Sequence, residues 1–141
     1  MNVFDFLAEK LKQNKRATTP YEAIGGEKTV RRIADRFYTI MEQDPLASQL
    51  YAIHPKPLDR IRHVFFLYLS MWLGGPNDYE VSRGHPRLRA RHLPYKVTPL
   101  LKNQWMYCMR KALLENVSDL ALAEQLLRSL DQLAEHMVNS Q

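Results

Sequence analysis

The chain has 141 residues, 45% of them hydrophobic and 25% charged, with a net charge of +5, which suits one soluble domain large enough to bury its own core. Its single cysteine, Cys108, excludes an internal disulfide and reads as a small core residue in a reducing compartment. The longest apolar run, residues 64–73, is broken by Ser70 and is too short for a bilayer; the amino terminus lacks the pattern of a signal peptide; and the cations are not interleaved with aromatics as a nucleic-acid surface requires. A cytoplasmic protein with no membrane and no nucleic-acid partner is therefore expected.

Residues 1–17 place Phe4, Leu7 and Leu11 at helical spacing ahead of Lys12, Lys15 and Arg16, which predicts a short amphipathic extension before a domain over 18–141. Thr19-Pro20-Tyr21-Glu22 reads as a helix start, with Thr19 as the cap and Pro20 in the first position, and Gly25-Gly26 ends that helix at once. From Glu27 to about Gln43, Val30, Ile33, Ala34, Phe37, Ile40 and Met41 mark one helix face, with Tyr38 at its edge. Taken alone, Tyr38 is a core-margin tyrosine. Asp44-Pro45 restarts the chain into a short segment with Leu46 and Leu50, and the stretch Tyr51 to Pro57 is irregular because two prolines fall within three positions.

Asp59 is the expected cap of the next helix, on which Ile61, Val64, Phe65, Tyr68, Leu69 and Trp72 form a wide stripe broadened by Phe66, Leu67 and Met71. His63 falls outside it, on the surface. Gly74-Gly75-Pro76 stops that helix, and a loop too short for another long helix carries Tyr79 onward. Pro99 opens a helix with Leu101, Trp105, Cys108, Met109 and Ala112 on one face, and Ser118 is the expected cap of the last helix, whose face includes Leu127, Leu130, Leu133 and Met137. His136 sits where an imidazolium complements the helix dipole. An all-α fold follows, since no stretch alternates as a strand would.

The stretch from Gly84 to Tyr95 stands apart. Pro86 suits the first position of a helix and Pro94 ends it, which leaves about two turns, with Leu88 and His92 on one face and Arg87 and Arg91 in a neighbouring row. One imidazole on an apolar face beside guanidinium groups offers a haem an iron ligand, a floor and cations for its propionates. The same residues equally describe a surface helix with solvated arginines and a histidine satisfied by the core.

A longer pattern separates the two. Pro20-Tyr21-Glu22-Ala23-Ile24-Gly25-Gly26, Phe37-Tyr38, Asp44-Pro45, Leu73-Gly74-Gly75-Pro76 with Tyr79, Gly84 to His92, and Trp105 with Cys108-Met109 stand in an order and spacing that resembles the truncated haemoglobins, most closely their second group. The resemblance spans roughly Thr19 to Asn139. It implies a truncated globin fold, a 2-on-2 helical sandwich around haem b (iron protoporphyrin IX), with His92 as the proximal iron ligand. It also implies Tyr38 and Trp105 as distal donors, since a phenol O–H and an indole N–H suit a diatomic ligand that draws negative charge from iron. Ile61 takes the position of the usual distal histidine, Phe65 fills distal space one turn later, Tyr79, Phe66 and Leu88 pack on the haem, and Arg91 meets a propionate. The loop after the second helix leaves Tyr51 and His54 competing for a third distal position and for the sixth coordination site, and its spacing from Asp44-Pro45 favours Tyr51. The implied function is binding of oxygen, nitric oxide or another diatomic ligand by a monomer or weak dimer. Strong donors make release slow, which suits redox work with an unknown reductase, such as nitric oxide dioxygenase or peroxidase-like activity, better than bulk oxygen transport. The alternative is a gas or redox sensor that meets a protein partner through residues 1–17.

Overall fold

A computed structural model describes Asp5, Leu7–Glu9 and residues 19–141. Phe4, Leu11 and the basic residues expected to complete the amphipathic extension lie outside the described residues, but Leu7 is helical and packs against the core.

Eight α-helices follow from residue 20: α1 (Pro20–Ala23), α2 (Gly26–Gln43), a 3-10 turn (Pro45–Ala47), α3 (Ser48–Ala52), α4 (Asp59–Trp72), α5 (Asp78–Arg83), α6 (Leu88–His92), α7 (Pro99–Asn116) and α8 (Leu120–Met137). No strand occurs among the described residues. The long helices pair as α2 with α4 and α7 with α8, and α2 lies on α7, so two layers of two helices enclose the core. None of these helices is long and apolar enough to cross a membrane.

The reason for the pairing is visible on α2. Val30, Ala34, Phe37 and Met41 are wholly buried and recur at intervals of three and four, which makes one continuous ridge for the other helices to pack on. Each large side chain buried there contributes roughly 1.5–3 kcal/mol. Arg62 on α4 fixes the α2–α4 pair from the rim, donating to the Asp35 carbonyl at 2.7 Å and to the Thr39 hydroxyl at 3.2 Å. The α2–α7 pair carries the Arg36–Glu115 ion pair, which is exposed and therefore weak.

The expected start of α1 is present: the Thr19 hydroxyl accepts from the Glu22 amide at 3.1 Å with Pro20 in the first turn. Three other boundaries are corrected. The cap of α8 is Asp119, whose carboxylate accepts from Leu122, and not Ser118. The position preceding α4 is Leu58, so Asp59 begins the helix instead of capping it and acts there through its charge on the helix dipole. The short helix that carries His92 begins at Leu88, not at Pro86, because Arg87 adopts a left-handed conformation at φ 46° and holds its amide to His85 Nδ1 at 3.1 Å.

Short-range contact fixes the end of α4. The Leu73 carbonyl accepts from the Tyr21 amide at 2.9 Å, and Gly75 lies so close to the Tyr21 ring that an added Cβ would stand 2.5–2.8 Å from three of its carbons. Gly75→Ala is expected to cost about 2 kcal/mol through this overlap, measured as a shift in the urea midpoint. Tyr21→Ala in the same chain removes the overlap, so the double variant must lose less than the sum of the two singles; additive losses would show that the overlap is not the cause.

Candidate functional site

Five rings from four elements meet at one side of α2. Phe37 is their hub, with Tyr38 at 4.9 Å, Phe65 of α4 at 5.0 Å and Trp105 of α7 at 5.3 Å between ring centroids. Tyr38 in turn meets Phe65 at 5.7 Å and the His54 ring at 6.0 Å. Most of these pairs are edge-to-face, a geometry worth about 0.5–1.5 kcal/mol per pair beyond burial. Phe37 and Tyr38 are buried, whereas Phe65, Trp105, His54 and Ile61 are half-buried, so the cluster forms a wall with one accessible side.

Tyr38 is held there as a neutral phenol. Burial pushes its pKa far above the ordinary tyrosine value, and the partial opposition of the Arg62 charge does not reverse this. It therefore offers an O–H rather than a phenolate.

Of the two candidates in the following loop, His54 is the one that lies against Tyr38. Tyr51 is half-buried, packs against the core and carries the Lys56 ammonium over its ring at 4.2 Å. The loop is fastened from α7: the buried Gln104 side chain accepts the Leu50 amide at 2.9 Å and donates to Gln49 at 2.5 Å, and Tyr107 donates to the Asp44 carboxylate. Leu50 then accepts His54 Nδ1 through its carbonyl at 2.8 Å. A carbonyl can only accept, so Nδ1 carries the proton and Nε2 keeps its lone pair.

His92 repeats that arrangement on α6. Its Nδ1 donates to the Leu88 carbonyl at 2.6 Å, and the ring is half-buried with Nε2 left as the basic nitrogen. This is the tautomer an iron ligand requires, with the carbonyl as its orienting partner. The charge of His92 adds to the lowering of the His54 pKa, so His92 lies within electrostatic reach of His54. Among the described residues no group of three or more His, Cys, Asp or Glu is placed to hold a metal ion. A metal held by His92 therefore needs the rest of its ligands from elsewhere, as iron in a porphyrin has them.

The anionic end of such a group also has a counterpart. Tyr79 of α5 is buried edge-on to Tyr68 at 5.7 Å and is flanked by the guanidinium groups of Arg83 and Arg91 at 5.9 and 6.0 Å from its ring. Arg91 also donates to the Arg83 carbonyl at 3.4 Å, while Arg83 Nε is buried without a hydrogen-bond partner among the described residues. Two neighbouring cations and an orphaned buried donor fit a pair of carboxylates. The residues present thus fit haem at its metal, its faces and its propionates.

Leu88 is half-buried beside His92. Phe66 is not brought to this site: it is buried under the Arg31 guanidinium at 3.8 Å and beside His63 at 6.3 Å, because it stands about 100° round the helix from Phe65. Two residues of the site escape the sequence pattern. Phe37 reads as plain core, which it also is. Arg83 is placed by α5, a helix hidden in a stretch that reads as loop; its signal is the spacing of four from Tyr79.

Comparison with known proteins gives the family and the fold. Residues 19–139 match the family model described as bacterial-like globin. The chain is 38% identical over 120 residues to the group 2 truncated haemoglobin YjbI of Bacillus subtilis (strain 168), covering 85% of this chain and 88% of that one. A cold-adapted truncated haemoglobin of the Antarctic marine bacterium Pseudoalteromonas haloplanktis TAC125 superposes with a TM-score of 0.86 at 52% identity, covering 88% of this chain and all of that one. A group II 2-on-2 haemoglobin of the plant pathogen Agrobacterium tumefaciens gives the same TM-score at 39% identity, over 89% of this chain and 97% of that one.

The environment of His54 makes a pH-dependent prediction. Burial lowers its pKa below the ordinary value, the bond to Leu50 opposes the fall, and the charges of Lys56 and His92 add to it. The folded chain therefore takes up this proton less readily than the unfolded one. Its contribution to stability is complete above the ordinary imidazole pKa of about 6.5 and is lost as the pH falls from there through the lowered value. Thermal unfolding of the apoprotein is expected to decline over that window more steeply in the parent than in His54→Phe; equal slopes would show that His54 is not the group responsible.

Proposed function

Since the chain belongs to the bacterial-like globin family, as a group II truncated haemoglobin, we propose that residues 18–141 form a domain that holds haem b through His92 and uses it for redox chemistry on oxygen and nitric oxide or peroxide. Binding of haem and of diatomic gases comes with the family; the residue roles, the type of haem and the redox role are inferred. The observation that carries the inference is the ring wall around Phe37, which brings a phenol at Tyr38 and an indole at Trp105 together at the edge of the core.

When bound, the haem supplies an iron that holds a diatomic gas and exchanges single electrons. The chain supplies the rest. His92 Nε2 would ligate the iron, and the Nδ1–H bond to the Leu88 carbonyl leaves that nitrogen basic and fixes the ring plane. Tyr38 O–H and Trp105 N–H are donors held in place before any gas arrives, so they cost no reorganisation when negative charge develops on it. His54, whose ring stands edge-on to Tyr38 at 6.0 Å and whose Nε2 keeps its lone pair, is favoured over Tyr51 as the third distal group by that contact. Ile61 and Phe65 keep the wall apolar and exclude water. Arg91, with Arg83 beside it, meets the propionates.

Donors of this strength slow the escape of oxygen, which opposes bulk delivery and favours turnover in place. Consuming nitric oxide with oxygen, or reducing peroxide, then needs a protein that returns electrons to the iron. The stretch 81–98 contains no acidic residue and carries Arg83, Arg87, Arg89, Arg91 and Lys96, a surface suited to an acidic electron donor. The absence of a disulfide and the lone buried Cys108 support a cytoplasmic setting.

The test is the absorption spectrum of the haem-reconstituted protein, ferric and ferrous, followed by oxygen dissociation. His92→Ala is expected to change the iron coordination seen in the Soret and visible bands. Tyr38→Phe and Trp105→Phe are each expected to speed oxygen release about tenfold, the equivalent of one lost hydrogen bond of about 1.4 kcal/mol. A parent that takes up no haem overturns the reading, and unchanged release rates in both variants overturn the donor roles alone.

A further inference from the structure

The ligand helix α6 cannot place itself. It has five residues, none of them buried, and a helix of that length has no independent stability in water. Its Asp- and Glu-free flanks make none of the ion pairs found elsewhere in the described chain, which join Arg36 to Glu115, Arg62 to Glu42, Lys102 to Asp131 and Glu135, Arg110 to Glu124 and Lys111 to Asp44. Besides the Arg91 bond to the Arg83 carbonyl at 3.4 Å, what holds it is the carboxyl-terminal segment. Arg89 donates to the His136 carbonyl at 2.9 Å. Beyond the last buried residue, Met137, the tail turns back over the segment that follows α6.

Asn139 is the centre of that contact. Its Nδ2 donates to the carbonyl of His92 itself at 3.3 Å and to that of Tyr95 at 3.0 Å, and its Oδ1 accepts the Val97 amide at 2.9 Å. The Val97 carbonyl receives the amides of Asn139 at 3.0 Å and Ser140 at 3.2 Å. One side chain thus satisfies three backbone groups on a six-residue span that begins at His92, using an acceptor and both donors of a single planar amide.

We propose that Asn139 is a positioning residue for His92: it clamps the segment 92–97 from the carboxyl end and so sets the depth and tilt at which the imidazole meets iron. The proposal rests on the reading of His92 as the axial ligand. A clamp outside the core acts on the iron–histidine bond and on haem retention while leaving the four long helices untouched, since no side chain beyond Met137 belongs to the core.

The experiment compares the haem-loaded parent with Asn139→Ala and Asn139→Asp, using three readouts: the iron–histidine stretching band of the ferrous unliganded form by resonance Raman, the rate of haem transfer to excess apomyoglobin, and thermal unfolding of the apoproteins. Asn139→Ala is expected to shift or broaden the band and to speed haem transfer about tenfold, with apoprotein unfolding close to the parent's. Asn139→Asp keeps the acceptor for Val97 but turns a carboxylate toward two carbonyls, so it must loosen haem at least as much. A band and a transfer rate at parental values in both variants overturn the clamp. So does faster transfer that merely follows a fall in apoprotein unfolding while the band stays in place. A parent that takes up no haem overturns the functional reading first, and the clamp with it.

Discussion

Phe37 has no surface left to solvent, and the position of the candidate site follows from that burial. The ring is packed into the α2 ridge, and its contacts with Phe65 and Trp105 bring α4 and α7 to the same place. Tyr38 is the next residue on the helix, turned about 100° from Phe37, so its ring meets Phe65 and His54 from a second direction. One hydrophobic contact thus serves two purposes: it contributes to the stability of the helix pair and it fixes the direction of the Tyr38 ring. A loss of packing at Phe37 would reach both at once, which is why the stability of this core and the geometry of this site are not separable quantities.

The region between α2 and α4 shows how a rigid helix imposes order on short ones. The 3-10 turn and α3 together span eight residues, too few to hold their own shape. They are fastened by side chains of α7 that stand one turn apart, Gln104 on Leu50 and Gln49 and Tyr107 on Asp44. Trp105 lies between those two on the sequence and faces the ring wall. The helix that supplies an indole donor therefore also sets the loop from which His54 meets Tyr38. Gln104 is buried, and leaving the Leu50 amide without it would expose an unsatisfied donor to a dry environment.

The large elements were legible because each is written in residues close along the chain. The ridge of α2 recurs at three and four, and Thr19-Pro20 carries a cap and a first turn in two residues. Errors arose where two side chains of similar chemistry stand side by side, as with Ser118 and Asp119, and where a local rule met a stronger local contact. Pro86 suits a helix start, yet the bond from Arg87 to the His85 ring bends the backbone first. The site was legible through resemblance more than through pattern. Periodicity alone leaves Tyr38 at a core margin and His92 on a surface helix, and it does not tell Tyr51 from His54, because their difference lies in a tautomer and in one ring contact across 16 residues. Arg83 and Asn139 are further removed still, since each acts on a segment that the sequence presents as loop.

The two faces of the site are built on opposite principles. The Tyr38 side is part of the core: Tyr38 and Phe65 stand on long helices, and their rings are fixed by packing on several sides. The His92 side is carried by a five-residue helix held through hydrogen bonds from Arg89, Arg91 and the tail, all at the surface. Dense packing is bistable and resists small displacements, whereas an exposed hydrogen-bonded segment opens at low free-energy cost. A group bound between them would meet a fixed distal wall and a proximal ligand whose position can be adjusted. If His92 holds iron as proposed, Tyr38 and Trp105 would govern which ligand is favoured, and the way α6 is anchored would govern how strongly the imidazole draws on the metal. The two properties can then change independently, because no described hydrogen bond of the α6 anchor involves Tyr38 or Trp105.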